Sequence, residues 1–264
     1  MTEEPYRWVE AIANRREYIE DQLQRGSPIV LLDFAEGLLL FTVSRETRKV
    51  FEIYDRIGFA ALGHPADIER LRLAGIDLAH VEGFNRSVHD VSLRRLVNFG
   101  LSPALKNAFE QVHSAPFIVK MILAELGADA GHDLIVKLDY DGSYGRSETE
   151  MREPFDVVAG TREAEHHMLN YLLEHNGNAK RPLDDTLRLA ARTWAVGMAI
   201  LEHNTQVEPG AETKLPDGFD AAKVLREHLK SRHVEAGILD RTSPRDAKFR
   251  LLDDKEIRAA LKDL

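Results

Sequence analysis

Lys49-Val-Phe-Glu-Ile-Tyr-Asp-Arg-Ile-Gly-Phe-Ala-Ala-Leu-Gly63 is the stretch that decides the fold class of this chain. Two apolar runs, Lys49–Tyr54 and Ile57–Leu62, stand on either side of Asp55-Arg56. Runs this short, joined by two residues, pair as an antiparallel hairpin, because a parallel crossover needs a dozen residues or more. Gly63-His64-Pro65 then breaks the pattern, and Pro65 suits the first turn of a helix carrying Ile68, Leu71, Leu73, Ile76 and Leu78.

The same grammar holds on both sides of this stretch. Upstream, Ile29–Phe34 and Leu38–Val43 flank the turn Glu36-Gly37 and form another hairpin. Before them, Trp8, Ala11, Ile12, Tyr18 and Leu23 recur at helical spacing from Tyr6 to about Gln24, and Arg25-Gly26 ends that helix. This helix precedes every strand signal. It docks either on its own domain or on a neighbouring subunit. Downstream, a helical stretch covers roughly Ser92–Val112, with an interruption near Ser102-Pro103. Strands are expected at about Phe117–Glu125, Asp133–Tyr140 and Phe155–Val158, with Asp141-Gly142 as a turn. Leu134, Val136, Leu138 and Tyr140 should share one face of the second, with Lys137 and Asp139 on the other.

Helices follow at Thr161–Glu174 and from Pro182 towards His203, then a loop at Asn204–Gly218 and a helix at Phe219–Lys230. Val234–Leu239 and Lys248–Leu252 read as a final hairpin, and Asp253-Asp-Lys-Glu256 as a capping box opening a last helix. Hairpin strands in blocks, alternating with helix pairs, predict an α+β fold: two antiparallel sheets covered by helices in a four-layer α/β/β/α sandwich.

Composition narrows the function. Lys and Arg total 35 against 44 Asp and Glu, a net charge of -9, which argues against a nucleic-acid binder. There is no run of about 18 apolar residues to span a membrane. The opening Met-Thr-Glu-Glu-Pro5 is unlike a secretory signal, so a cytoplasmic location is expected. Cysteine is absent, which removes disulfides, thiol nucleophiles and cysteine-ligated metals. Phosphate-binding glycine loops are missing as well, and no cofactor is expected. Glu163, His166 and His167 have helical metal-ligand spacing but no visible third partner, so a solvated helix face is the stronger reading.

Four segments resemble a known family: Gln24-Arg-Gly-Ser27, Glu36-Gly-Leu-Leu-Leu40, the Lys49–Gly63 stretch and Asp139-Tyr-Asp-Gly142. They are similar to α-type subunits of the 20S proteasome core, most of all the actinobacterial-type bacterial branch. The resemblance runs from about Tyr6 to about Leu252 and weakens across 204–233. It implies the N-terminal-nucleophile hydrolase fold, with residues 1–26 as a gate segment and ring-contact helix and 27–264 as the sandwich. Residues 204–232 stand where the family usually has a short Gly-rich connection, and they read as an insertion.

The family holds active β-type and inactive α-type members. An active member needs an N-terminal threonine whose free amine is the base for its own hydroxyl, together with an acid and a lysine. The resemblance puts these positions at Ser27, about Val43 and Lys49. Ser27 follows a whole helix and has no free amine unless the chain is cleaved before it; Val43 is no acid. Thr2, exposed if Met1 is removed, precedes a helix rather than a strand. The expected function is therefore non-catalytic: a seven-membered ring of identical chains that gates entry and caps rings of β-type threonine peptidase subunits. The alternative is a hydrolase that processes itself at Ser27.

For Lys49 two readings stand. One is a strand-edge lysine in water. The other, implied by the resemblance, is a pocket between neighbouring subunits where Lys49 meets the C-terminal carboxylate of an ATPase or other ring activator, often ending hydrophobic-Tyr-X. Gly26 would form the wall of that pocket and Arg25 would add charge. Tyr54, Asp55 and Arg56 read as a strand-to-strand turn, with an Asp–Arg pair that would also fix a subunit contact.

Overall fold

The computed structural model describes residues 5–111, 113–145, 155–177, 181–204, 214–216, 218–262 and 264. In chain order, α1 (Pro5–Leu23) leads into β1 (Ile29–Phe34), β2 (Gly37–Ser44), β3 (Val50–Tyr54) and β4 (Ile57–Gly63). Next come α2 (Pro65–Asn85), α3 (Leu93–Leu96), α4 (Ser102–Glu110), β5 (Val119–Glu125), β6 (Leu134–Leu138), β7 (Tyr144–Gly145) and β8 (Phe155–Val158). The chain continues with α5 (Arg162–His175), α6 (Leu183–Asn204), α7 (Ala221–His228), β9 (His233–Asp240), β10 (Phe249–Leu251) and α8 (Asp254–Leu261).

The strands form two five-stranded sheets, ordered β10-β9-β2-β1-β8 and β3-β4-β5-β6-β7. Every pairing among them is antiparallel, as hairpin connections require. Side-chain alternation splits each strand between two cores. On β1 and β2, Val30, Leu32, Leu39, Phe41 and Val43 face the helix layer of α5, α6, α7 and α8. Ile29, Leu31, Leu38 and Leu40 face inward and meet Val50, Ala60, Leu62, Ile122 and Ala124 of the second sheet. The outer face of that sheet, with Phe59, Ala61, Met121 and Leu123, is covered by α2 and the α3–α4 segment. The four-layer α/β/β/α sandwich expected from the sequence is what the chain forms.

Two details differ from the sequence reading. The break near Ser102 is a single π-helical turn, Val97–Leu101, so the chain stays helical through it. Tyr140 does not share a face with Leu138: Leu134, Val136 and Leu138 pack outward, whereas Tyr140 lies beyond the end of β6 and enters the inter-sheet core. Strand periodicity fails there because Asp139 already belongs to the turn, where its amide bonds Ser143. The helix expected at 219–230 forms as α7, with Leu225 buried and Phe219, Ala221 and Val224 packed into the helix layer. Residues 205–213 of the expected loop, and Thr2, lie outside the described residues.

The N-terminal helix has two kinds of contact. Its C-terminal half closes the open end of the sandwich, where Ile19 and Leu23 are fully buried in the inter-sheet core. Polar bonds hold it there: Tyr140 Oη donates to Glu20 Oε1 at 2.7 Å, and Arg16 pairs with Asp141 at 3.3 Å. Its N-terminal half leaves Trp8 and Val9 exposed. Among the described residues no helix is long and apolar enough to cross a membrane.

Candidate functional site

The end of the sandwich beneath α1 gathers the residues that the sequence singled out. Ser27 stands between α1 and β1, almost wholly buried. Its hydroxyl is engaged in both directions, donating to the Val43 carbonyl at 2.7 Å and accepting from Trp194 Nε1 at 3.0 Å. Its nitrogen is an ordinary peptide nitrogen inside the chain. Val43 is fully buried among aliphatic side chains and supplies no acid. Leu23, one turn before Ser27, fills the space above the sheets.

Lys49 sits one residue before β3, half-buried, with its carbonyl accepting from Ala61 of β4 at 3.2 Å. The neighbouring residue Leu62 touches Gly26: a Cβ there would stand 2.8 Å from Leu62 Cδ1 and 2.9 Å from the Leu23 carbonyl oxygen. Any larger residue would push α1 away from β4, so glycine is needed for this close approach. β4 thus brings Gly26 and Lys49 to the same end of the second sheet. Arg25 is exposed beside them.

Sequence reasoning missed the residue that fixes Lys49. Glu235 of β9, buried between the sheets, accepts from the Lys49 amide at 2.7 Å and the Val50 amide at 3.1 Å through one oxygen. It ties the start of β3 to the other sheet, and no local pattern announces a bond across so much chain. Burial lowers the Lys49 pKa to about 8; the Glu235 charge opposes this and Arg232 reinforces it. Burial also pushes the Glu235 carboxyl up, against its two amide bonds.

Around Lys49 lie further cations. The β2–β9 register ends at Ser44 opposite His233, and Arg45 and Arg232 lie just beyond those strand ends. Burial lowers the Arg232 pKa, and the Arg45 charge adds to that. His228 of α7 stacks edge-on against Trp194 with ring centroids 5.2 Å apart, and its Nε2 lies 3.1 Å from Glu202 Oε1. Burial lowers the His228 pKa, as do Arg232 and Arg45, while Glu202 raises it. Among the described residues Arg45, Lys49 and Arg232 form no ion pair.

The other candidates lie elsewhere in the fold. Asp55 and Arg56 are the turn between β3 and β4, and Arg56 pairs with Glu125 at 3.3 Å. Tyr54 packs edge-on against His80 of α2. His166 bonds Asn170 at 3.0 Å, and no group of metal-ligating side chains occurs among the described residues. A second charged group, Lys120, Lys137, Asp156 and Glu165, is internally paired. Glu165 lies 3.5 Å from Lys120 and 3.1 Å from Lys137, which joins α5 to β5 and β6. Burial works against the Lys137 ammonium, yet Glu165 and Asp156 outweigh it and keep its pKa above the ordinary lysine value.

Comparison with known proteins bears on what this end of the sandwich is for. No family model matches the chain. Individual proteins do. The proteasome subunit alpha of Actinosynnema mirum is 32% identical over 256 residues, covering 96% of this chain and 84% of that protein. The proteasome subunit alpha of Streptomyces avermitilis is 29% identical over 254 residues, covering 96% and 87%. That of Frankia casuarinae is 31% identical over 243 residues, covering 89% and 86%. Identity at this level across almost the whole chain, on a four-layer sandwich with an added N-terminal helix, places the protein in the family of bacterial proteasome α subunits.

Proposed function

We propose that the chain is a non-catalytic subunit of a cytoplasmic bacterial proteasome core. Seven copies form an outer ring that caps rings of β-type threonine peptidase subunits, gates substrate entry through the segment before α1, and docks the C-terminal tails of a ring activator. The observation that carries this reading is the contrast between two positions. Ser27, at the nucleophile position, is an internal residue with its hydroxyl bonded on both sides. Lys49, at the lysine position, keeps an ammonium that pairs with no carboxylate among the described residues. A compact point charge of this kind suits one terminal carboxylate, with Gly26 as the wall and Arg25 adding charge.

The test is the affinity of a peptide ending hydrophobic-Tyr-X for assembled rings. Removing one partner of a partly desolvated charge pair costs about 2–5 kcal/mol, so Lys49→Ala should weaken binding by well over an order of magnitude. Unchanged affinity would return Lys49 to a strand-edge role.

A further inference from the structure

The free end of α1 and the β3 edge of the second sheet lie on opposite sides of the molecule. At its C-terminal end α1 leads into Gly26, which abuts Leu62 of β4, while Arg16 reaches Asp141 in the turn beyond β6. From Leu23 to Arg16 the helix rises about 10 Å, the width of the two strand spacings from β4 to β6. The helix therefore runs across the strand ends, away from β3. From Arg16 to Trp8 it rises about 12 Å more, which carries Trp8 past β7, the last strand of that sheet. Arg7, Trp8, Val9 and Glu10 are all exposed there.

The opposite edge carries an open groove of about 620 Å³ between β3, α2 and β10. Its lining includes Arg48, Phe51, Glu52, Asp55, Arg72 and Leu251. Two guanidiniums lie over the Phe51 ring, Arg48 at 5.0 Å and Arg72 at 5.2 Å from its centroid. Both are held in place. Arg72 makes two bonds to Glu69, and Arg48 Nε donates to the Val50 carbonyl. Flat cations fixed beside an aromatic ring make a seat for a further aromatic side chain. Leu251, 40% exposed, adds an apolar wall. Burial and the Asp55 charge both push the Glu52 carboxyl up, and a cation brought to the groove offsets both.

We propose that this groove receives the N-terminal half of α1 from a second copy of the chain, with Trp8 on the Phe51 and arginine surface and Arg7 beside Glu52. This rests on the ring reading above and identifies the two surfaces that meet. A closed ring of identical copies joins two different surfaces on opposite sides of each copy, and α1 and the groove stand in that relation. Arg48 adjoins Lys49 in sequence, so the contact is continuous with the inter-subunit pocket of the tail-docking reading.

The chain has no cysteine, so an introduced pair reports the contact without background. The full chain carrying Val9→Cys and Leu251→Cys, both at exposed positions, is treated with a short bismaleimide and run on a denaturing gel. A ladder beyond the dimer is expected from the double variant, and dimers alone from a mixture of the two single variants. Rings on sizing without a ladder would overturn the groove as the receiving surface and leave the ring reading standing. A wild-type chain that forms no ring, alone or with its β-type partner, would overturn the ring reading and this inference with it. Should the cysteine variant itself fail to assemble, charge reversal decides. Arg7→Glu should raise the concentration at which rings form by about tenfold, since it sets like charges together. Adding Glu52→Arg to that chain should restore assembly, and no recovery would overturn the inference.

Discussion

Trp194 Nε1 donates a hydrogen bond to Ser27 Oγ at 3.0 Å, joining the middle of α6 to the start of β1. The serine passes the bond on to the Val43 carbonyl. A hydroxyl held this way serves as a joint between the helix layer and the first sheet.

Ser27→Ala is therefore expected to change stability and not turnover. It leaves a fully buried indole N–H without an acceptor, which costs about 1–3 kcal/mol. Denaturant midpoints of the purified chain measure this, and fluorogenic peptides measure activity, expected to be nil in both proteins. Intact mass should show no loss of the residues before Ser27. Peptide hydrolysis that disappears in Ser27→Ala would instead establish the self-processed hydrolase.

Much of the fold is legible because it is local. The β3–β4 hairpin, the glycine ending α1 and the capping box at Asp253 and Glu256 all follow from residues within a few positions of one another. The bonds that build the candidate site are not local. Trp194 lies 167 residues from Ser27, and Glu235 lies 186 residues from Lys49, so neither pairing leaves a periodicity or a spacing to read. Lys49 was visible as a candidate only through resemblance to a family. Arg232 was not visible at all, because its charge reaches Lys49 only through the folded arrangement of distant segments.

The two halves of α1 should separate in a mutational test. Ile19 and Leu23 are fully buried, so either one changed to Ala should destabilise the single chain by about 2–5 kcal/mol. Trp8 and Val9 are 51% and 65% exposed, and replacing both with Ser should leave the unfolding midpoint almost unmoved while weakening ring assembly. Sizing chromatography and denaturant melts together decide the matter. Intact rings in the Trp8 and Val9 double variant would assign ring contact to another surface.

Lys49 should make tail binding depend on pH. Its ammonium titrates at about 8 in the folded chain, against 10.5 for an ordinary lysine. Between those values the unfolded chain binds more protons than the folded one, so stability of the free subunit rises with pH across that window. Tail binding runs the other way, because the carboxylate pairs with the charged form. Affinity should hold steady below pH 8 and fall above it, by about tenfold between pH 7 and pH 9 if only the protonated lysine binds. Lys49→Arg keeps its charge throughout and should flatten the profile, though with weaker binding at pH 7, since a planar guanidinium fits poorly where a point charge sat. Peptide titrations of wild-type and Lys49→Arg rings at pH 7, 8 and 9 read this directly. A wild-type profile as flat as that of the arginine variant would mean that the carboxylate is met by a group other than Lys49.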